Sequence, residues 1–188
     1  MDGWSLPTTA TIGGTVYQLY TDYRDVLDIM RWLTDEAEPE YIRWTVALAL
    51  FYEGGEAMPQ SQQQEAMTYL AAFIAGPDAP QQDVLAPKLL DWEQDAGIIV
   101  ASVNKVAGCE VRALPYLHWW TFLAYFSCIG DGTLATLVAI RDKLRRGKKL
   151  EKWEQEYYRE HKAQVDLRRP YTVEEMAERE RLKQLLGE

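Results

Sequence analysis

Apolar and polar positions alternate with a period of two only near the start of the chain. Thr11-Ile12 and Thr15-Val16-Tyr17-Gln18-Leu19 flank Gly13-Gly14, a pair that supplies the positive φ angles of a two-residue turn. A short β-hairpin is therefore expected over about residues 10–20. Such a hairpin is marginal in water by itself and has to pack on other elements. From Thr21 onward the spacing becomes helical. A first helix is predicted from about Asp22 to Ala37, with Val26, Met30 and Leu33 on one face. A second opens at Pro39 and ends at Gly54-Gly55, and its Trp44–Tyr52 stretch is apolar on nearly all sides, which predicts central burial. Ser61 with Gln64 forms a capping-box pattern before Met67, Leu70, Ala71 and Ile74, and Gly76-Pro77 stops that third helix.

After a Pro-, Asp- and Gln-rich connection over Pro77–Pro87, a fourth helix is expected from about Asp91 to Ala107. Trp92, Ala96, Ile99, Val103 and Val106 form its apolar stripe. A fifth is expected from Pro115 to Gly130, a sixth between Gly132 and Gly147, and a seventh from Leu150 to about His161. Arg168-Arg169-Pro170 breaks the pattern, and Thr172 with Glu175 caps a last, highly charged helix. The pattern is that of a mainly α protein. It predicts a compact multi-helix domain over residues 1–168 with an N-terminal hairpin, then a charged helical extension over 169–188. No internal repeat is present.

Length agrees with this reading, because 188 residues suffice to bury about 70% of the unfolded chain's surface. Met1-Asp2-Gly3 begins no basic segment followed by an apolar run, so no secretory signal is expected. Cys109 and Cys128 read as reduced, buried thiols of a cytosolic protein. Charge changes the picture more. Residues 1–100 carry 4 Lys/Arg against 16 Asp/Glu, hence −12, whereas residues 141–169 carry 11 against 6, hence +5. This asymmetry suits pairing with an opposite patch, including one on another copy of the chain. The acidic half and the Glu151, Glu154, Glu156 and Glu160 within the basic stretch argue against a nucleic-acid partner.

Candidate chemistry is sparse. Residues 113–130 contain no Asp, Glu, Lys or Arg, but Pro115, His118, Thr121 and Ser127 make the run a core helix rather than a membrane span. Asp91 and Asp95 share a helical face at i,i+4 spacing while Glu93 points elsewhere, so capping at a helix start explains them better than a metal site does. His118 and His161 form no zinc spacing with Cys109 and Cys128, and no nucleophile–base pattern or phosphate loop occurs. No catalytic residue, metal or cofactor is therefore expected, and the chain is not read as an enzyme. The residues suited to a partner surface are the aromatic Trp92, Trp119, Trp120 and Trp153 with His118, and the basic Arg145, Arg146, Lys148 and Lys149.

Four stretches carry a resemblance to a known family: Thr21-Asp22-Tyr23-Arg24, Asp91-Trp92-Glu93-Gln94-Asp95, Leu114-Pro115-Tyr116-Leu117-His118-Trp119-Trp120-Thr121-Phe122, and Gly147-Lys148-Lys149-Leu150-Glu151-Lys152-Trp153-Glu154. In these the chain resembles the gene-product-fifteen family of tailed bacteriophages that infect Gram-positive hosts, from the hairpin to about Leu167. The family is encoded in the tail-morphogenesis cluster, ahead of the tape-measure gene, in a position similar to that of tail assembly chaperones. The resemblance implies a tail assembly chaperone that binds the tape-measure protein, and other tail proteins, before tube polymerisation. It implies a place in the cytoplasm of the infected host and absence from the mature virion. A structural tail or connector component is the alternative, and a homo-oligomer fits either. Neither nucleic acid nor membrane is an expected partner.

Overall fold

The computed structural model describes residues 5–77 and 89–168. Strand β1 (Thr9–Ile12) pairs antiparallel with β2 (Thr15–Gln18), with Ile12 opposite Thr15. Gly13 and Gly14 take φ values of 54° and 80°, the left-handed pair that a tight hairpin turn demands. Ala10 and Ile12 face inward. Helix α1 spans Tyr23–Thr34, α2 spans Glu40–Phe51 and α3 spans Gln60–Ala75. The Gly13 N–H donates to Glu65 Oε2 at 3.0 Å, and the Tyr17 hydroxyl donates to Gln62 Oε1 at 2.7 Å. These bonds tie the hairpin to α3, the support it needs.

Between α2 and α3 a 3₁₀ turn at Gly55–Ala57 passes close under the end of α2. A Cβ on Gly55 would stand 2.3 Å from the Leu48 carbonyl oxygen, so only glycine fits there. Helix α4 (Ala96–Ala107), a 3₁₀ turn at Val111–Ala113, α5 (Trp119–Ser127), α6 (Thr133–Arg145), α7 (Lys152–Glu160) and the single turn α8 (Lys162–Val165) complete the order. Helix occupies more than half of the described residues, and the hairpin is the one sheet among them. The predicted helix opened by Thr172 and Glu175 lies outside the described residues, as does the extension over 169–188.

Several sequence expectations are corrected. Helix α3 starts at Gln60 behind Pro59, not at Ser61, and no side chain caps it. Pro59 fixes its own φ at −56° and ends the preceding extended backbone, which is enough to start the helix. The capping box among the described residues is instead Glu151 with Glu154, at the start of α7. Helix α4 begins at Ala96 rather than Asp91, because Asp91 Oδ1 accepts from the N–H groups of Glu93 and Gln94 and holds a separate turn. Helix α5 begins at Trp119 rather than Pro115, since the preceding residues are pinned in extended form against residues 21–23. Cys109 and Cys128 are exposed, not buried. One follows the C-cap Gly108 and the other is itself the C-cap of α5. Val106 and Leu50, assigned to buried surfaces, are 37% and 39% exposed.

The main core is built from the hairpin, α1 to α5 and Leu134 of α6. A second, small cluster joins Leu137, Ile140, Leu150 and Val165, and Ile98 of α4 packs against both. Arg141, expected on the basic surface, is buried where the two clusters meet. Its position follows from helical spacing: Arg141 lies four residues after Leu137, on the apolar face of α6. Nη1 and Nη2 grip Asp95 Oδ2 and Oδ1 at 2.6 and 2.9 Å, while Nε, Nη1 and Nη2 also donate to the carbonyls of Val165, Leu89 and Gln164. Removing one partner strands the other charge in the core, which typically costs about 3–5 kcal/mol. Arg141→Met is therefore expected to lower the urea-unfolding free energy by about that amount, and Arg141→Met with Asp95→Leu should recover part of it. A single variant as stable as the parent would show that the pair does not hold the two clusters together.

Candidate functional site

Thr21–Arg24 and Leu114–Trp120 lie about ninety-five residues apart in the chain and side by side in the fold. Tyr23 N–H donates to the Leu117 carbonyl and Trp119 N–H to the Thr21 carbonyl, at 2.9 and 2.8 Å. Asp22 caps α1 by accepting from Arg24 N–H, and its second oxygen accepts from Leu117 N–H at 2.9 Å. Arg24 bonds the Asp22 carboxylate and reaches on to the carbonyls of Leu114 and Arg112 at 2.7 and 3.2 Å. Thr21 Oγ1 lies 2.7 Å from the Tyr116 hydroxyl. Each polar group brought inside by this junction has a partner, as burial demands.

His118 sits at the centre of the junction, 2% exposed. Its Nδ1 accepts from Trp120 N–H at 3.0 Å and so caps α5. Its Nε2 faces the Pro7 carbonyl at 3.1 Å, and a carbonyl only accepts, so the proton is on Nε2 and the ring is neutral. Burial pushes the imidazole pKa below its ordinary 6.5, against a smaller upward pull from the Pro7 carbonyl. Trp119 and Trp120 follow, 1% and 5% exposed. Their positions on α5 differ by about 100°, yet both indoles reach the end of α3. Trp119 Nε1 donates to the Ile74 carbonyl at 2.9 Å and Trp120 Nε1 to the Phe73 carbonyl at 3.0 Å. Both carbonyls lie in the last turn of α3, where intrahelical partners run out; that of Phe73 also accepts from Gly76 N–H at 3.2 Å. Phe122 stacks on both Trp119 and Tyr23, at 5.7 and 4.7 Å between centroids.

The other residues singled out from sequence are dispersed. Trp92 is half-buried, with its ring 6.1 Å from Trp119 and 5.1 Å from Phe126. Trp153 is 53% exposed on α7, its Nε1 donating to Glu151 Oε2. Arg145 at the end of α6, and Arg146, Lys148 and Lys149 on the turn to α7, are exposed. Asp142 serves both Arg145 and Arg146, whose hydrogen bonds hold its carboxyl below the usual range. The structure thus groups His118, Trp119 and Trp120 inside the fold and Trp153 with the four cations outside it. Asp91, Asp95 and His118 do not converge, and His161 is exposed beside Tyr157. Among the described residues no group of three or more His, Cys, Asp or Glu is placed to hold a metal ion, and no helix is long and apolar enough to cross a membrane.

Two surface features were not singled out from sequence. A groove of about 630 Å³ runs between α2 and α3, lined by Glu40, Tyr41, Trp44, Gln64, Met67, Thr68 and Ala71. Tyr41 is 70% exposed there. A smaller cleft between α1 and α2 is lined by Tyr20, Asp25, Asp28, Ala49 and Leu50. The signal for both was the apolar character of α2 on nearly all sides, which exceeds what one core can cover.

A family model described as bacteriophage Gp15 protein matches residues 5–167, most of the chain. The chain belongs to that family. No curated protein and no solved structure matches it. Membership makes it a bacteriophage structural or morphogenesis protein. Of the four stretches that carry the Gp15 resemblance, three build the fold. Thr21–Arg24 and Leu114–Phe122 form the buried junction, and Asp91–Asp95 supplies the partner of Arg141. Gly147–Glu154 alone is mostly surface, carrying Lys148, Lys149 and Trp153.

The junction generates two expectations. Because the folded pKa of His118 is depressed, the stability it lends is full above pH 6.5 and is lost as pH falls through its lower folded value. Urea midpoints should therefore decline below pH 6.5, and His118→Asn, which keeps a capping acceptor but does not titrate, should flatten that decline. Trp120→Phe removes one hydrogen bond and should cost about 1 kcal/mol, whereas Trp120→Ala should cost about 3–5 kcal/mol. Equal losses for the two would contradict the assigned role of the indole N–H.

Proposed function

We propose that this Gp15 protein is a tail assembly chaperone. It holds the tape-measure protein in the host cytoplasm before the tail tube polymerises, and it leaves before the virion is complete. The observation that carries the reading is the family match over residues 5–167; the surface chemistry supports it. The α2–α3 groove offers Tyr41, Trp44, Met67 and Ala71 between the polar Glu40, Gln64 and Thr68. An amphipathic helix laid into such a groove buries its apolar face while its polar face stays in water. Methionine adapts to differing partners and exposed tyrosine supplies contact area at low entropic cost, which suits a client held along its length. The role needs no catalytic group, metal or cofactor, and the chain acts by binding rather than as an enzyme.

Co-expression with a tape-measure protein from the same phage tests the proposal. The two chains should co-purify, Tyr41→Ser should weaken the complex without changing helical content, and purified virions should lack the chain. Stoichiometric retention in purified particles, with no complex on co-expression, would assign it to the tail or connector structure instead.

A further inference from the structure

Residues 20–56 carry nine Asp/Glu and three Arg, hence −6, and all three arginines are used inside the fold. Arg24 binds Asp22 and backbone carbonyls, Arg31 lies 3.7 Å from Glu93, and Arg43 donates to the Leu33 carbonyl. Asp25, Asp28, Asp35, Glu36, Glu38 and Glu40 are left exposed along α1 and the loop to α2, with no ion pair among the described residues. Between α1 and α2 the cleft lined by Tyr20, Asp25, Asp28, Ala49 and Leu50 encloses about 240 Å³, and its Tyr20 and Leu50 are 48% and 39% exposed. Burial, then the neighbouring charges of Asp22 and Asp28, raise the Asp25 pKa, with Arg24 opposing. An arriving cation would relieve that crowding.

The complementary surface is on the same chain. Residues 141–153 carry seven Lys/Arg against two Asp/Glu, hence +5. The buried Arg141 and the Glu154-bound Lys143 are used internally. At the end of α6 Arg145 and Arg146 share the single carboxylate of Asp142, and on the following turn Lys148 and Lys149 have no ion-pair partner among the described residues. Leu144 and Trp153, 36% and 53% exposed, stand beside these cations in the sequence. The two surfaces do not neutralise each other within one molecule. Helices α1 and α2 pack with each other and with α3 and α5, whereas α6 packs on α4 and α8 and has its own small core. No ion pair joins the two regions among the described residues.

We propose that the acidic cleft between α1 and α2 of one copy receives the basic α6–α7 turn and Trp153 of a second copy. Each side brings both charge and apolar area: Lys148 and Lys149 face Asp25 and Asp28, and the Trp153 ring covers Tyr20 and Leu50. The two surfaces differ, so the contact is heterologous and leaves every copy with one free face of each kind. It therefore closes into a ring or grows as an open array. This contact is independent of which client the protein holds.

Two variants test it in the full-length chain: Asp25→Asn with Asp28→Asn, and Arg145, Arg146, Lys148 and Lys149 all to Gln. Circular dichroism checks that both keep the parent's helical content. In sedimentation velocity at low salt, the parent should form concentration-dependent assemblies that dissociate in about 1 M salt, where the screening length is roughly 3 Å. Each variant alone should need about tenfold more protein, or beyond, to associate, the sum of several exposed charge pairs. Mixed in equal amounts, the variants should form a 1:1 dimer and nothing larger, because each retains one intact surface. A parent that stays monomeric at low salt, assembly untouched by either variant, or a mixture that forms no dimer would each overturn the proposal. Nucleic acid or a host protein held by the basic turn of a monomeric parent would likewise overturn it. None of these readings depends on the tape-measure complex.

Discussion

A guanidinium with all five of its N–H bonds occupied stands between the two parts of this fold. Arg141 binds both oxygens of Asp95 and the carbonyls of Leu89, Gln164 and Val165, so one side chain of α6 fixes the approach to α4, the start of α4 and the end of α8. Net stabilisation is not the main point of such a group, because desolvating two charges can offset the whole of their attraction. What it supplies is registry. Among the described residues the buried members of the second cluster are Leu137, Ile140, Leu150 and Val165, too little apolar contact to dictate one arrangement. The planar fork accepts few geometries, and a slip of α6 by one residue would leave a charge buried without a partner.

The same logic, polar groups finishing what apolar packing leaves undefined, recurs at the junction around His118. A single imidazole caps α5 and holds the segment before the hairpin through Pro7. Two indoles complete the end of α3 while their rings fill the core. Aromatic side chains are economical here because one residue offers a large apolar body and one well-aimed donor. The short α5 consequently organises several elements, and within the run with no formal charge Leu117–Trp120 and Phe122 are the buried part.

Much of this architecture was legible in the sequence. The Gly13-Gly14 hairpin, the start of α1 near Asp22, the Gly76 stop and the end of α4 at Ala107 follow from local rules. Of the uncharged run read as a core helix, only Leu117–Trp120 and Phe122 are buried. The start of α4 was misplaced because Asp91 caps a separate local turn rather than the helix, and that of α5 because Leu117 is bound across the fold to Asp22 and Tyr23. Arg141 was hidden among basic neighbours, although its spacing from Leu137 placed it on the apolar face. The aromatic residues were the hardest to sort. Trp119, Trp120 and Trp153 all fall on helices of apolar or mixed face, and only the position of the α3 terminus decides that the first two turn inward. The cysteines misled for the opposite reason: residue type favours burial, but both fall at helix ends, where the chain turns back toward water.

The junction also bears on how the chain comes to be folded at all. Helical proteins usually assemble quickly because their contacts are local in sequence. Here the entry of α1 is completed by Leu117, the exit of α3 by Trp119 and Trp120, and the segment around Pro7 by a histidine 111 residues away. During synthesis, the N-terminal half therefore leaves the ribosome with two unfinished helix ends and an uncovered apolar face. It stays in that state until residues 114–122 emerge, and the α6–α8 end waits longer still, for Val165. A protein that we propose shields another chain's apolar surface must first pass through a stage in which its own is bare.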